Sequence, residues 1–125
     1  MDTAAALIAT SLLAALAGLQ IAAALGARVG HLVWGGQHRV LPTGLRVGSA
    51  VSVVVYTLMA ALLLARADLV PPGPAGWTDV ATWVLTGYFA LGVVLNGASR
   101  SRPERATMVP ACLVLAACAG LLAAS

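Results

Sequence analysis

Four apolar runs, about residues 3–27, 47–65, 80–98 and 106–124, leave this chain little choice of fold. Each is long enough to cross the hydrocarbon core of a bilayer as one helix, which takes about 20 residues. Only short polar connections separate them, and they cannot hide the runs from water. Of 125 residues, 61% are hydrophobic and 9% charged, whereas roughly a quarter of a soluble domain is charged. In lipid every backbone amide and carbonyl must bond within the protein, which makes each run a helix. The expected fold is all-α: an integral membrane four-helix bundle forming one domain over residues 1–125. The first run follows Asp2 rather than a basic region and is too long for a signal-peptide core, so it reads as a retained span.

Four spans put the first and third connections on one face and both termini on the other. The first face carries Arg28, Arg39, Arg46, Arg100, Arg102 and Arg105; the second carries Arg66 with Asp2, Asp68 and Asp79. Arginine bias in short loops sets orientation, which predicts a cytoplasmic first face and extracytoplasmic termini. The basic residues are all arginine, and Ala, Gly, Val and Leu dominate the rest, a composition that suits a GC-rich bacterial genome. The expected address is the bacterial cytoplasmic membrane, multi-pass.

The connections carry the polar chemistry. Between Arg28 and Arg46, Gly35-Gly36 and Pro42-x-Gly44 break any continuous helix, and Trp34 fits a segment at headgroup level. His31 and His38 stand seven apart, with no acid or cysteine near either in sequence, so no metal site is expected. The turn P-P-G-P-A-G stops the second span, and Thr78 is the expected N-cap of the third. The third connection reads N-G-A-S-R-S-R-P-E-R from Asn96 to Arg105. Ser101 and Glu104 have the spacing of a capping box there, with Pro103 tolerated in the first turn.

Inside the spans polarity is sparse. Ala14, Gly18 and Ala22 form a small-residue edge on the first, suited to close helix approach or self-association. Gln20 is its one strongly polar interior residue. Ser49, Ser52, Tyr56 and Met59 share a face of the second span; Tyr88, Gly92 and Asn96 share one on the third, where Thr86 adds a hydroxyl. Gln20, Ser52, Tyr56, Thr86 and Tyr88 make a polar seam expected to pack inward. Pro110 lies within the fourth span and frees the carbonyl of Ala106. Cys112 and Cys118, six apart on one helix, face different ways and read as small apolar side chains.

Several classes of function are disfavoured. A formal charge of +3 gives no basic patch for nucleic acid. No C-x-x-C occurs, which argues against a redox relay, and no cofactor is implied. No Asp, Glu, Lys, Arg or His lies inside a span, where proton-coupled antiport normally needs one. The first-helix glutamate of small multidrug-resistance transporters is missing too. These residues favour a non-enzymatic membrane module that holds anionic lipid or a partner on its cytoplasmic arginine face, self-associating through its small-residue edges. Two alternatives stand beside it: a small-solute transporter or channel along the polar seam, and an enzyme acting on lipid headgroups. The expected binding cluster at the cytoplasmic face is His31, His38, Arg39, Asn96, Ser99, Arg100, Arg102, Glu104 and Arg105.

Two stretches, W-G-G-Q-H-R-V-L-P-T-G-L-R-V-G-S (Trp34 to Ser49) and L-N-G-A-S-R-S-R-P-E-R (Leu95 to Arg105), followed by Pro110, resemble those of small bacterial four-span integral membrane proteins. The resemblance covers nearly the whole chain and implies a fold and a membrane address, without an activity. It singles out His38, Arg39, Asn96, Ser99, Arg100 and Glu104, and the topology predicts that the two stretches meet.

Overall fold

A computed structural model describes residues 2–36, 38–69, 76–99 and 101–125. Each apolar run is a helix: α1 spans Asp2–Ala24, α2 Thr43–Arg66, α3 Trp77–Gly97 and α4 Arg102–Ala124. Two single 3-10 turns, Gly30–Leu32 and Trp34–Gly36, lie between α1 and α2. All four α-helices are long and apolar enough to cross a membrane.

The helix boundaries differ from the apolar runs for local reasons. The first run extends to Ala27, but α1 stops at Ala24 because Gly26 takes a left-handed conformation, φ 89°. The amide of Gly26 then donates to Ala23 O and that of Ala27 to Ala22 O, the paired bonds of a Schellman cap. The same cap closes α2 with Asp68 in place of glycine, at φ 60°, its amide on Ala65 O and that of Leu69 on Leu64 O. α2 and α4 begin four residues before their apolar runs, since backbone hydrogen bonding recruits Thr43–Arg46 and 102–105 regardless of polarity. Thr78 is not the N-cap of α3: the helix opens at Trp77 after Gly76 at φ 84°, and Thr78 is buried inside the first turn. α4 continues through Pro110.

The helices run up and down in a ring, α1–α2–α3–α4, with α1 also against α4. Around that ring the α2–α3 junction is the sparsest. The inward residues of α1 (Ala5, Ala6, Ala9, Leu13, Leu16, Gln20, Ala23) and of α4 (Glu104, Met108, Ala111, Leu115, Cys118, Leu122) repeat at alternating steps of about three and four, the stripe of a helix packed along its length. α2 and α3 sit further out, exposing Val51, Val54, Leu58, Val80, Val84, Leu91, Val94 and Leu95. Water would not tolerate so continuous an apolar surface. The small-residue edge of α1 also faces outward: Ala14 and Gly18 are exposed, and nothing would meet a side chain at Gly18.

At the end holding the termini, hereafter the terminal end, Arg66 joins three helices. Its Nε donates to Leu122 O at 2.9 Å and its Nη2 to Ser125 O at 2.7 Å, while Nη1 pairs with Asp79 Oδ1 at 2.7 Å. The guanidinium thus meets the C-terminal carbonyls and negative dipole end of α4. At the opposite, loop end, Arg46 does the same for α1 alone, donating from Nε to Ala24 O at 2.8 Å.

Candidate functional site

The connection between α1 and α2 does not trail along the surface. It folds back under the loop end and docks on the start of α4. Gly30 permits this, because its amide donates to Arg39 O at 2.9 Å and a Cβ there would overlap His38 O. Gly36, at φ 72°, lies against Ser101, whose hydroxyl donates to His31 O. The two stretches flagged in the sequence therefore meet, with Arg39 and Glu104 at the same end of the bundle.

Trp34 is laid against the start of α2 by this fold. Its own backbone is left-handed, φ 52°, which costs a non-glycine residue about 1–2 kcal/mol. The ring compensates by lying on Gly48, where a Cβ would stand 2.9 Å from Cζ2, while Nε1 donates to Ser49 Oγ at 2.9 Å. Trp34 is thus pinned to the start of α2 while 43% of it stays exposed.

Above Trp34 is a cavity of ≈ 500 Å³ reached by all four helices, within the usual range for small-molecule pockets, about 300–1,000 Å³. α1 contributes Leu16 and Gln20, and α2 contributes Ser52 and Tyr56. α3 adds Tyr88, Phe89, Gly92 and Asn96, and α4 adds Glu104, Met108, Cys112 and Leu115. Tyr88, Leu91 and Leu95 line the cavity yet are exposed, so it opens sideways along α3, toward the thin α2–α3 junction.

The polar groups on this wall are unequally satisfied. Ser52 Oγ donates to Gly48 O at 3.0 Å, and Asn96 Nδ2 donates to Gly92 O at 2.8 Å and to Cys112 Sγ at 3.6 Å. Gln20, only 7% exposed and beside Tyr56, has no partner for Oε1. An unbonded buried amide oxygen costs about 1–3 kcal/mol, so its retention here needs a reason. Glu104 is 5% exposed. Its amide donates to Ser101 Oγ at 3.4 Å, as a capping box requires, but the amide of Ser101 donates to Ser99 Oγ. Glu104 is among the residues that line the cavity.

Most of the expected residues gather at this end, in two groups. Gln20, Ser52, Tyr56, Tyr88, Asn96, Ser99 and Glu104 line the cavity. His31, His38, Arg39 and Arg102 are exposed outside it, and Arg105 is half-buried, bonding Ser99 O through Nη1. Arg100 lies outside the described residues. Thr86 is not on the wall: its hydroxyl bonds Thr82 O and its methyl faces Gly120 of α4. Trp34 and Cys112 are lining residues that sequence reasoning did not assign to a site. The small residues Gly44, Gly48 and Ser52, at steps of four on α2, were the one hint that something large would pack there. No group of three His, Cys, Asp or Glu suited to a metal ion occurs among the described residues. Comparison with known proteins gave no match to a family model, to a curated sequence or to a solved structure.

Proposed function

We propose that this chain is a four-span protein of the bacterial cytoplasmic membrane that takes a small solute from the bilayer into the cavity at its loop end. The observation carrying this reading is the buried, unpartnered Oε1 of Gln20 on the wall of a sideways-opening cavity. A dry helical module gains nothing from keeping such a group. A binding site uses it once a ligand donor arrives. This favours solute binding, as in a small carrier, over the purely structural module.

The loop end faces the cytoplasm and both termini lie outside. At the terminal end Arg66 is matched by Asp79 and by α4 carbonyls. At the loop end Arg28, Arg39 and Arg102 remain exposed, the bias expected of a cytoplasmic face. The same three arginines support a second, compatible role in holding anionic headgroups against that face.

Thiol chemistry tests the cavity. N-ethylmaleimide applied to the membrane-embedded protein modifies Cys112, on the cavity wall, and spares the buried Cys118. Cys112 staying unreacted until the protein is denatured would contradict an accessible cavity. For orientation, a tag at either terminus reacts with an impermeant reagent added outside; labelling only after lysis would reverse the topology.

A further inference from the structure

We infer that the cavity selects neutral amphiphiles with a free hydroxyl, held with the hydroxyl inward and the apolar body toward the bilayer. The inference rests on the solute-binding reading and names its substrate class. It follows from the hydrogen-bonding capacities that the wall still has to offer. Trp34 Nε1 is given to Ser49 Oγ, the Ser52 hydroxyl to Gly48 O, and the Asn96 amide to Gly92 O and Cys112 Sγ. Ser99 Oγ receives the amide of Ser101. Gln20 Oε1 is an acceptor without a partner, on a residue only 7% exposed. The amide nitrogen of the same side chain neighbours the Tyr56 hydroxyl. That nitrogen can only donate, so a bond between the two uses the phenol oxygen and leaves the Tyr56 proton to give. The wall therefore presents an acceptor and a donor side by side. The Tyr88 hydroxyl adds a group of either kind nearer the opening, where Tyr88 is 55% exposed.

A hydroxyl matches that pair with a single atom, giving its proton to Gln20 Oε1 while receiving that of Tyr56. An ammonium ion only donates, and a carboxylate or an ether only accepts, so each leaves one member of the pair unsatisfied. Charge also argues against an ion. Glu104 is the one charged group among the described residues lining the cavity, and it already interacts with another residue of the chain. An ion entering here sheds its water without gaining a counter-charge, which is costly at bilayer depth. Leu16, Phe89, Met108 and Leu115 give the apolar body a surface to cover, and the rings of Trp34 and Tyr56 favour an aryl one. Leu91 and Leu95 line the cavity and are exposed as well, so the body can extend through the opening into lipid.

Trp34 is also the reporter. With Trp77 and Trp83 replaced by phenylalanine, it is the one tryptophan left, and it lines the cavity. Four probes share one apolar body: para-butylphenol, para-butylanisole, para-butylbenzoate and para-butylbenzylammonium. Each is titrated into the full chain in lipid nanodiscs while Trp34 fluorescence is followed, with concentrations referred to the bilayer. The phenol is expected to bind saturably, about tenfold or more tighter than the anisole and than either ion. Gln20→Leu is expected to drop the phenol to the level of the anisole. Tyr56→Phe, which keeps the ring, is expected to narrow the gap between phenol and anisole. An anisole or an ion that binds as tightly as the phenol, or a preference for the phenol that survives Gln20→Leu, would overturn the hydroxyl assignment while leaving the cavity a solute site. The absence of a saturable response to any probe overturns that assignment as well, and if Cys112 is also unreactive the solute-binding reading falls with it.

Discussion

The two ends of the bundle solve the same problem differently. At each, an arginine of α2 crosses to the C-terminal carbonyls of another helix: Arg66 to α4 and Arg46 to α1. Arg66 also meets Asp79, so α2, α3 and α4 are tied at one point. Small side chains close the space beside it, with Ala5, Ala6 and Ala9 where α1 begins and Ala119 and Ala123 where α4 ends, all buried. Arg46 ties one neighbour only. There the inward residues of α1 and α4 include Leu16, Gln20, Glu104 and Met108, and the cavity is walled by Trp34, Tyr56, Asn96 and Glu104 among others. A groove of ≈ 460 Å³ runs along α2 to Trp77 at the locked, Arg66 end, but the cavity shared by all four helices lies at the other, and Gln20 Oε1 is unpartnered there. Thr10 Oγ1 on α1 is the second buried polar side-chain atom without a partner among the described residues.

That contrast can be broken from either side. Arg66→Ala should have the largest effect, about 3 kcal/mol of destabilisation, since charge-assisted bonds to carbonyls and a carboxylate are lost together. Arg46→Ala, with one such bond, should cost about half as much. Thermal unfolding in detergent checks the pair; equal losses would dissolve the asymmetry. Gly30→Ala comes next. Its methyl would overlap His38 O, forcing the connection off α4 at a cost of about 2 kcal/mol. Proteolysis should then cut near Arg39 in the variant before the parent.

How far the sequence carried this picture depends on the range of the forces involved. Hydropathy located the four helices, because the length and period of an apolar run are local properties. It misjudged an end at Gly26, where a single left-handed residue decides, and a start at Thr43, where helical hydrogen bonds run past the apolar stretch; the start of α4 was marked instead by the capping spacing of Ser101 and Glu104. Gln20, Tyr56 and Asn96 were visible as polar residues in apolar surroundings. Trp34 was not, since its position depends on Gly48 and Ser49 of one helix and, through Gly36, on Ser101 of another. Thr86 was placed in the seam for its hydroxyl, yet that hydroxyl bonds Thr82 O and its methyl faces Gly120 across the α3–α4 contact.

Two smaller effects sharpen the comparison. Gln20→Leu should stabilise the protein by about 1 kcal/mol, because it deletes a buried acceptor without a partner, while removing solute binding. A destabilised variant that still binds would show that Oε1 is satisfied inside the protein. Asp68→Gly, at the locked end, should stabilise by about 0.5 kcal/mol by relieving a left-handed backbone, with solute affinity unchanged. Both effects are read from melting temperature and Trp34 titration on the same samples.

The central claim is that the bundle is hollow beside Gln20. A high-resolution structure of the protein in a lipid nanodisc tests it most directly. The account predicts non-protein density, ligand or ordered water, within hydrogen-bond distance of Gln20 Oε1 and bordered by Tyr56, Tyr88 and Asn96. Closure of α2 onto α3, with side chains filling the space and Gln20 bonded to the protein alone, would contradict it.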